Sequence, residues 1–264
     1  MTSKNVIYTI NAKSRNEENC PNNTWELAPL YAFKAYAEKV QADLVVIDED
    51  SIPALSLPST LNFFQCACML KFSIFDHFVK SEYEKMILLD LDILVRAEAR
   101  DVFKEECHGI HMMPQPKKSQ REAFKYFLKQ NFKFKGDMPE YYNGAMIYAN
   151  KKAITDFYNK VPKLGEWFGF YKKYNLHKNP VTSFVNEDNL HEEWNEQCLL
   201  SFFFHEQQIK IHPLYPDLGN LKYWLVGWKN KRPYDDDREG GDAIHFCGPE
   251  GKAHLTKMGL MTKF

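Results

Sequence analysis

Two aspartates interrupt an apolar run. Lys85-Met86-Ile87-Leu88-Leu89-Asp90-Leu91-Asp92-Ile93-Leu94-Val95 reads as a strand covered on both faces that carries two carboxylates near its middle. Charges in such a place are costly unless something pairs with them. In extended chain, residues two apart point to one side, so Asp90 and Asp92 would converge. Two hard oxygen donors suit Mg²⁺ or Mn²⁺, and such an ion suits a phosphate. The plainer alternative is a solvated turn between two short strands, although the flanks lack turn residues.

Other stretches carry polar groups in an apolar setting. Lys71 lies inside the aromatic helical run Leu61 to Val79, where it either snorkels to solvent or points at the same site. Asn11, Ala12 and Lys13 follow the first strand, at the end where open α/β sheets bind ligands. Asn143-Gly144 sits in a strand and permits close backbone approach. Asn195-Glu196-Gln197 precedes an apolar helix, beyond what a helix dipole alone asks for. Ala243-Ile244-His245-Phe246 presents one imidazole, then a glycine-containing turn from Gly248 and a cation at Lys252.

The elements that position these groups follow from periodicity. Strands are expected at Val6–Ile10, Leu44–Asp48, Lys85–Val95, Gly109–Met113, Glu140–Tyr148 and Ile209–Leu214. Helices are expected at Trp25–Ala42, Leu61–Val79, Arg96–Cys107, Lys117–Asn131, Lys151–Lys160 and Cys198–Phe204. Strand–helix alternation predicts an α/β protein with a mostly parallel sheet and right-handed crossovers. No linker is evident. One domain over 1–264 is expected, in two halves, 1–113 and 114–264.

Composition narrows the function. The 264 residues are 44% hydrophobic and 15% aromatic, which supports a packed core. With 34 basic and 35 acidic residues the net charge is -1, so nothing favours nucleic acid as a partner. No apolar run approaches the roughly 20 residues of a membrane span, and the first residues do not read as a signal peptide. A cytoplasmic protein without an integral membrane segment is expected. The six cysteines have no metal-ligand spacing and read as free thiols.

Taken together and in order, the motifs resemble those of retaining family 8 glycosyltransferases. Leu88-Leu89-Asp90-Leu91-Asp92-Ile93-Leu94-Val95-Arg96 is similar to their Asp-x-Asp (DxD) segment. Lys71 stands where such enzymes carry a helix lysine. Tyr142-Asn143-Gly144-Ala145 resembles their sugar-site strand, with Asp137 before it. Asn195-Glu196-Gln197-Cys198-Leu199-Leu200 looks like their acceptor-side helix start, and His245-Phe246-Cys247-Gly248-Pro249 with Lys252 like their closing motif. The chain departs at Glu196, where aspartate is usual, at Met69, where some members carry arginine, and by one extra residue before Lys252.

The resemblance implies a GT-A fold and transfer of a hexose from a nucleotide sugar, with uridine the usual base, to a glycan or other hydroxyl acceptor. It implies Mn²⁺ or Mg²⁺ held by Asp90, Asp92 and His245. Donor contacts would come from Asn11, Ala12, Lys71, Asp90, Leu91, Asp137, Asn143, Gly144, Gly248 and Lys252. Gln197 would lie beneath the anomeric carbon of a retaining enzyme, and Glu196 would be the base of an inverting one. The rival from another class is a HAD-type phosphatase, which also places Asp-x-Asp after an apolar strand. Against it, that motif normally opens the fold, whereas here two strand–helix units come first.

Overall fold

The computed structural model describes residues 4–11, 26–48, 63–114, 140–161, 183–185, 190–192, 196–214, 225–229, 232–233, 242–246 and 248–261. It also describes Arg121, Phe124, Lys125, Leu128 and Lys129, all helical. The expected acceptor- and donor-side residues Ala12 and Asp137 lie outside the described residues, as does Lys13.

A six-stranded sheet forms the centre. Its strands are β1 (Asn5–Ile10), β2 (Asp43–Ile47), β3 (Lys85–Leu89), β5 (Ile110–Pro114), β6 (Tyr142–Asn150) and β9 (Ile211–Pro213), in the spatial order β2-β1-β3-β6-β5-β9. β2, β1 and β3 run parallel, as do β5 and β9. β6 alone runs against its neighbours, β3 and β5. The sheet is thus mostly parallel. A four-stranded sheet adds β4 (Ile93–Val95), β10 (Leu225–Lys229), β11 (Arg232–Pro233) and β12 (Ala243–His245), in the order β11-β10-β12-β4. β7 (Ser183–Val185) and β8 (Leu190–Glu192) form a separate antiparallel pair.

Alternation along the strands divides the core between the two faces of the central sheet. Val6 and Tyr8 of β1 and Met86 and Leu88 of β3 face one way, with Phe75 and Phe78 of helix α2 (Phe63–Lys80). The same layer holds Phe157 of α3 (Lys151–Lys160) and Phe203 and Phe204 of α4 (Glu196–Glu206). Ile7, Ile87 and Leu89 face the other way, against Phe33, Tyr36 and Val40 of α1 (Leu27–Val40). Both faces are covered, which is why β1 and β3 read as nearly unbroken apolar runs.

Several expectations need correction. The run from Lys85 to Val95 is not one strand: β3 ends at Leu89, residues 91–92 turn, and β4 joins a different sheet. The helix expected over Arg96–Cys107 shrinks to one 3-10 turn at Val102–Lys104, capped by Asp101 through its side-chain contact to Phe103 N at 3.0 Å. That segment is instead tied down by α1. Tyr36 Oη donates to Arg100 O and accepts from Val102 N, and Lys39 Nζ donates to Ala97 O and Ala99 O. The closing turn is also different: helix α5 (Gly248–Met261) begins at once, so Lys252 stands on a helix.

Phe157 is fully buried and meets Phe75 edge-on at 5.7 Å and Phe204 at 4.8 Å between ring centroids. It joins three helices in one layer. Phe157→Ala is expected to cost about 3–5 kcal/mol. Urea denaturation should show this as a lower midpoint at unchanged slope.

Candidate active site

The site starts at the break between β3 and β4. Leu89 is the last residue paired to β6, opposite Met146. Asp90 N then donates to Ala145 O at 2.8 Å, and Ile93 N closes the turn on Asp90 O at 3.0 Å. The turn is lined by protein, and both acids are largely shielded from solvent: their side chains are 29% and 18% exposed. The chain between Asp90 and Asp92 is a turn, so the rule that residues two apart in extended chain share a side does not apply to them. They face different partners.

Asp90 faces Lys71. The Lys71 ammonium lies 2.8 Å from Asp90 Oδ1 and 3.1 Å from Oδ2, and donates to Gly144 O at 3.2 Å. Lys71 is 5% exposed, so it does not snorkel. A buried ammonium demands this kind of pairing. The Gly144 carbonyl is available because β6 is irregular there. The register with β5 jumps from Met112↔Ile147 to Met113↔Asn143. Asn143 Oδ1 accepts from Ala145 N at 2.8 Å and stabilises the irregular backbone. Bulges of this kind re-aim backbone groups beside functional sites.

Asp92 faces His245. The imidazole Nε2 stands 3.1 Å from Asp92 Oδ1. The approach falls outside strict hydrogen-bond geometry, and the two groups pair chiefly by charge. Burial pushes the Asp92 carboxyl up, but His245, Lys252 and Lys71 together outweigh it and hold the group below the usual carboxylate range. His245 reaches this place through strand pairing. β12 runs antiparallel to β4 with His245 opposite Ile93, and Phe246 N donates to Asp92 O at 2.8 Å. The other end of β12 is clamped by Asp242, 6% exposed, which accepts from Arg100 N, Nε and Nη2 at 2.7, 2.8 and 2.6 Å.

An imidazole nitrogen and a carboxylate oxygen converge here at 3.1 Å. That donor set suits Mn²⁺ or Mg²⁺. Asp90 stands beside them but is engaged by Lys71. Among the described residues no three His, Cys, Asp or Glu side chains are gathered at metal-binding distance. Asp92 and His245 are close enough to share an ion, whereas Asp90 is held by Lys71.

The remaining expected residues fall around this centre in different ways. Asn11 follows β1 and donates its N–H to Ile47 O at 2.9 Å, which leaves its half-buried side chain at the sheet's carboxyl edge. Leu91 is committed to the core, so only its backbone can meet a ligand. Gly248 opens α5. Lys252, in that helix, acts on Asp92. Glu196 and Gln197 both lie inside α4, and Gln197 is half-buried. One residue escaped the sequence reading: Glu26, a buried acid just before α1. Its signal is a lone acid among Trp25, Leu27 and Ala28, the pattern of a helix start.

With this geometry in hand, solved structures can be compared. The galactosyltransferase LgtC, in complex with donor and acceptor sugar analogs, superposes with a TM-score of 0.56 at 11% identity, over 97% of this chain and 95% of that one. A glycosyltransferase involved in glycosylation of the major capsid of PBCV-1 gives 0.51 at 11% identity, over 97% and 98%. The bifunctional glycosyltransferase WbbM gives 0.50 at 11% identity over 95% of this chain, which spans about half (49%) of that protein. The fold is GT-A. No family model and no curated protein sequence matches the chain. In GT-A terms, the break between β3 and β4 puts Asp90-Leu91-Asp92 where the two sheets meet. No helix among the described residues is long and apolar enough to cross a membrane.

Gly251 holds α5 against the site. A Cβ there would stand 2.4 Å from Phe246 O and 2.5 Å from Phe246 C, both backbone atoms. Gly251→Ala must shift the helix away from the segment that carries His245. It is expected to cost about 1–3 kcal/mol by overpacking. A lower melting temperature together with weaker divalent-ion binding would show that both effects share one cause.

Proposed function

We propose that the protein is a metal-dependent glycosyltransferase that moves a hexose from a nucleotide diphosphate sugar to a hydroxyl of a glycan or similar acceptor. The observation that carries this reading is the approach of His245 to Asp92 beside the Asp90–Lys71 pair, at the junction of the two sheets of a GT-A fold. The neighbours in that fold are transferases of sugars. A HAD-type phosphatase finds no support: its aspartates would open the fold, and its nucleophile would be Asp90, which Lys71 holds at 2.8 Å.

Asp90, Asp92 and His245 would hold Mn²⁺ or Mg²⁺. A bound ion there would neutralise charge on the departing diphosphate. The chain supplies the rest. Lys252 and the N-terminus of α5 at Gly248 bring positive charge toward phosphate oxygens. Lys71 shields Asp90 until an ion competes for it, and then remains as a counter-charge beside the donor. Asn11 and residue 12 border the place for the base, with uridine the reading adopted. Asn143, Gly144 and Asp137 would border the sugar. Gln197 would face the anomeric carbon in a retaining transfer, which is the reading adopted here; an inverting transfer would use Glu196 to take the acceptor proton.

Calorimetry with uridine diphosphate and Mn²⁺ tests the assignment. Asp92→Ala and His245→Ala should each weaken Mn²⁺-dependent binding by at least about tenfold, with circular dichroism unchanged. Unchanged affinity in both variants would remove the metal assignment. Slow, metal-dependent hydrolysis of one member of a nucleotide-sugar panel is expected. Turnover of p-nitrophenyl phosphate without donor binding would overturn the transferase reading.

A further inference from the structure

The central sheet carries a cavity of about 460 Å³ at the end away from the Asp-x-Asp turn. β5 begins there at Ile110, and β6 ends there at Asn150. Asn143, beside the turn, stands near the other end of β6. A strand rises about 3.3 Å per residue, so the steps from Asn143 to Asn150 separate the two places by roughly 20 Å. The chain reverses after α4 at Gln208, whose backbone is left-handed (φ 51°), and Ile209 N donates to Phe204 O at 2.8 Å. That reversal brings Gln208, Ile209 and Lys210 to the same cavity as α3. Gly109 lines it beneath His212: a Cβ there would stand 2.9 Å from His212 Cδ2 and 3.1 Å from Nε2. A side chain at 109 would have to displace the ring.

The lining has an excess of positive charge. Lys152 and Asp156 pair at 2.5 Å and cancel each other. Lys160 and Lys210 remain, from different elements, and the lining holds no second acid. Lys160 donates to Gln207 O at 3.4 Å, a long contact. His108 is paired with Glu106, outside the lining, at 3.3 Å. Asn150 has a structural role: its Oδ1 accepts from Ala153 N at 2.8 Å, and its Nδ2 donates to Cys107 O at 2.7 Å. Asn159 and Gln208 bring further amides, each both donor and acceptor. Ile110, Ala153 and Ile209 supply apolar wall. Such a lining does not suit a metal ion, because its carboxylate is already paired. An inorganic anion alone would leave most of the volume empty. The size is that of a site for a small organic molecule.

We propose that this cavity binds a monosaccharide phosphate, at a place separate from the Asp-x-Asp turn. Lys160 and Lys210 take the phosphate oxygens through charge-assisted hydrogen bonds. Asn159 and Gln208 serve the sugar hydroxyls, which ask for donors and acceptors at once. Ile110 and Ile209 lie against the C–H surface of the sugar. Binding makes and breaks no covalent bond. None of these residues is among those assigned to the donor, so the cavity does not depend on the donor reading.

The test is calorimetry with glucose 6-phosphate, glucose 1-phosphate and ribose 5-phosphate, without nucleotide or divalent metal. At least one should bind with a dissociation constant in the millimolar range or tighter. Inorganic phosphate and glucose are the comparison ligands, and each should bind at least about tenfold more weakly. Lys160→Gln and Lys210→Gln should each weaken the sugar phosphate several-fold, and the double variant at least about tenfold. Both lysines are exposed, so the variants should keep the wild-type melting temperature. Lys34→Gln, exposed on α1, and Lys252→Gln should leave the affinity unchanged. Binding of none of the three sugar phosphates at about 10 mM would overturn the proposal. So would inorganic phosphate that binds as tightly as the best of them, or a loss with Lys34→Gln equal to that with Lys160→Gln. A loss confined to Lys252→Gln would place the ligand at the Asp-x-Asp turn and overturn it as well.

Discussion

Everything near the site depends on keeping two carboxylates inside an apolar frame. A sheet interior tolerates no bare acid, so each must have a partner supplied from elsewhere. Lys71 answers Asp90 from α2, and His245 approaches Asp92 from β12. The two answers differ in kind. The first is a closed ion pair, reinforced by Gly144 O. The second is a close pairing of an imidazole nitrogen and a carboxylate oxygen, two atom types that also ligate cations.

The scaffold is arranged around that demand. β6 breaks its register to offer Gly144 O and Ala145 O. β4 leaves the central sheet so that β12 can pair with it. The Asp242–Arg100 clamp and the α1 contacts to 97–102 fix the far side of β4. These are polar contacts placed where an apolar core alone would leave the backbone free to slip.

Much of this was legible in the residues. The order of strands and helices and the parallel sheet could be read from periodicity and the two acids from chemistry, whereas the link from them to the distant histidine was implied by the resemblance. What could not be read was the turn between Leu89 and Ile93. Its flanks lack glycine, proline and asparagine, so local preference favours one continuous strand. Pairing with β12 overrides that preference, and such pairing leaves no local trace. The Arg96–Cys107 helix failed for a related reason: Tyr36 and Lys39 capture its carbonyls before a helix can use them. Glu26 was missed because a lone acid at a helix start looks ordinary until its burial is known.

The junction of the two sheets also sets an order of events in the life of the chain. β4 is made early, but its partner strand β12 comes near the end, and the clamp between Arg100 and Asp242 spans 142 residues. Closing so long a loop is slow relative to local pairing. During synthesis the central sheet can therefore gather its first strands while β4 waits with one edge open. The place where Asp92 meets His245 comes into being only once β12 pairs with β4, so a chain stopped short of residue 242 would keep most of the central sheet and lack that meeting point.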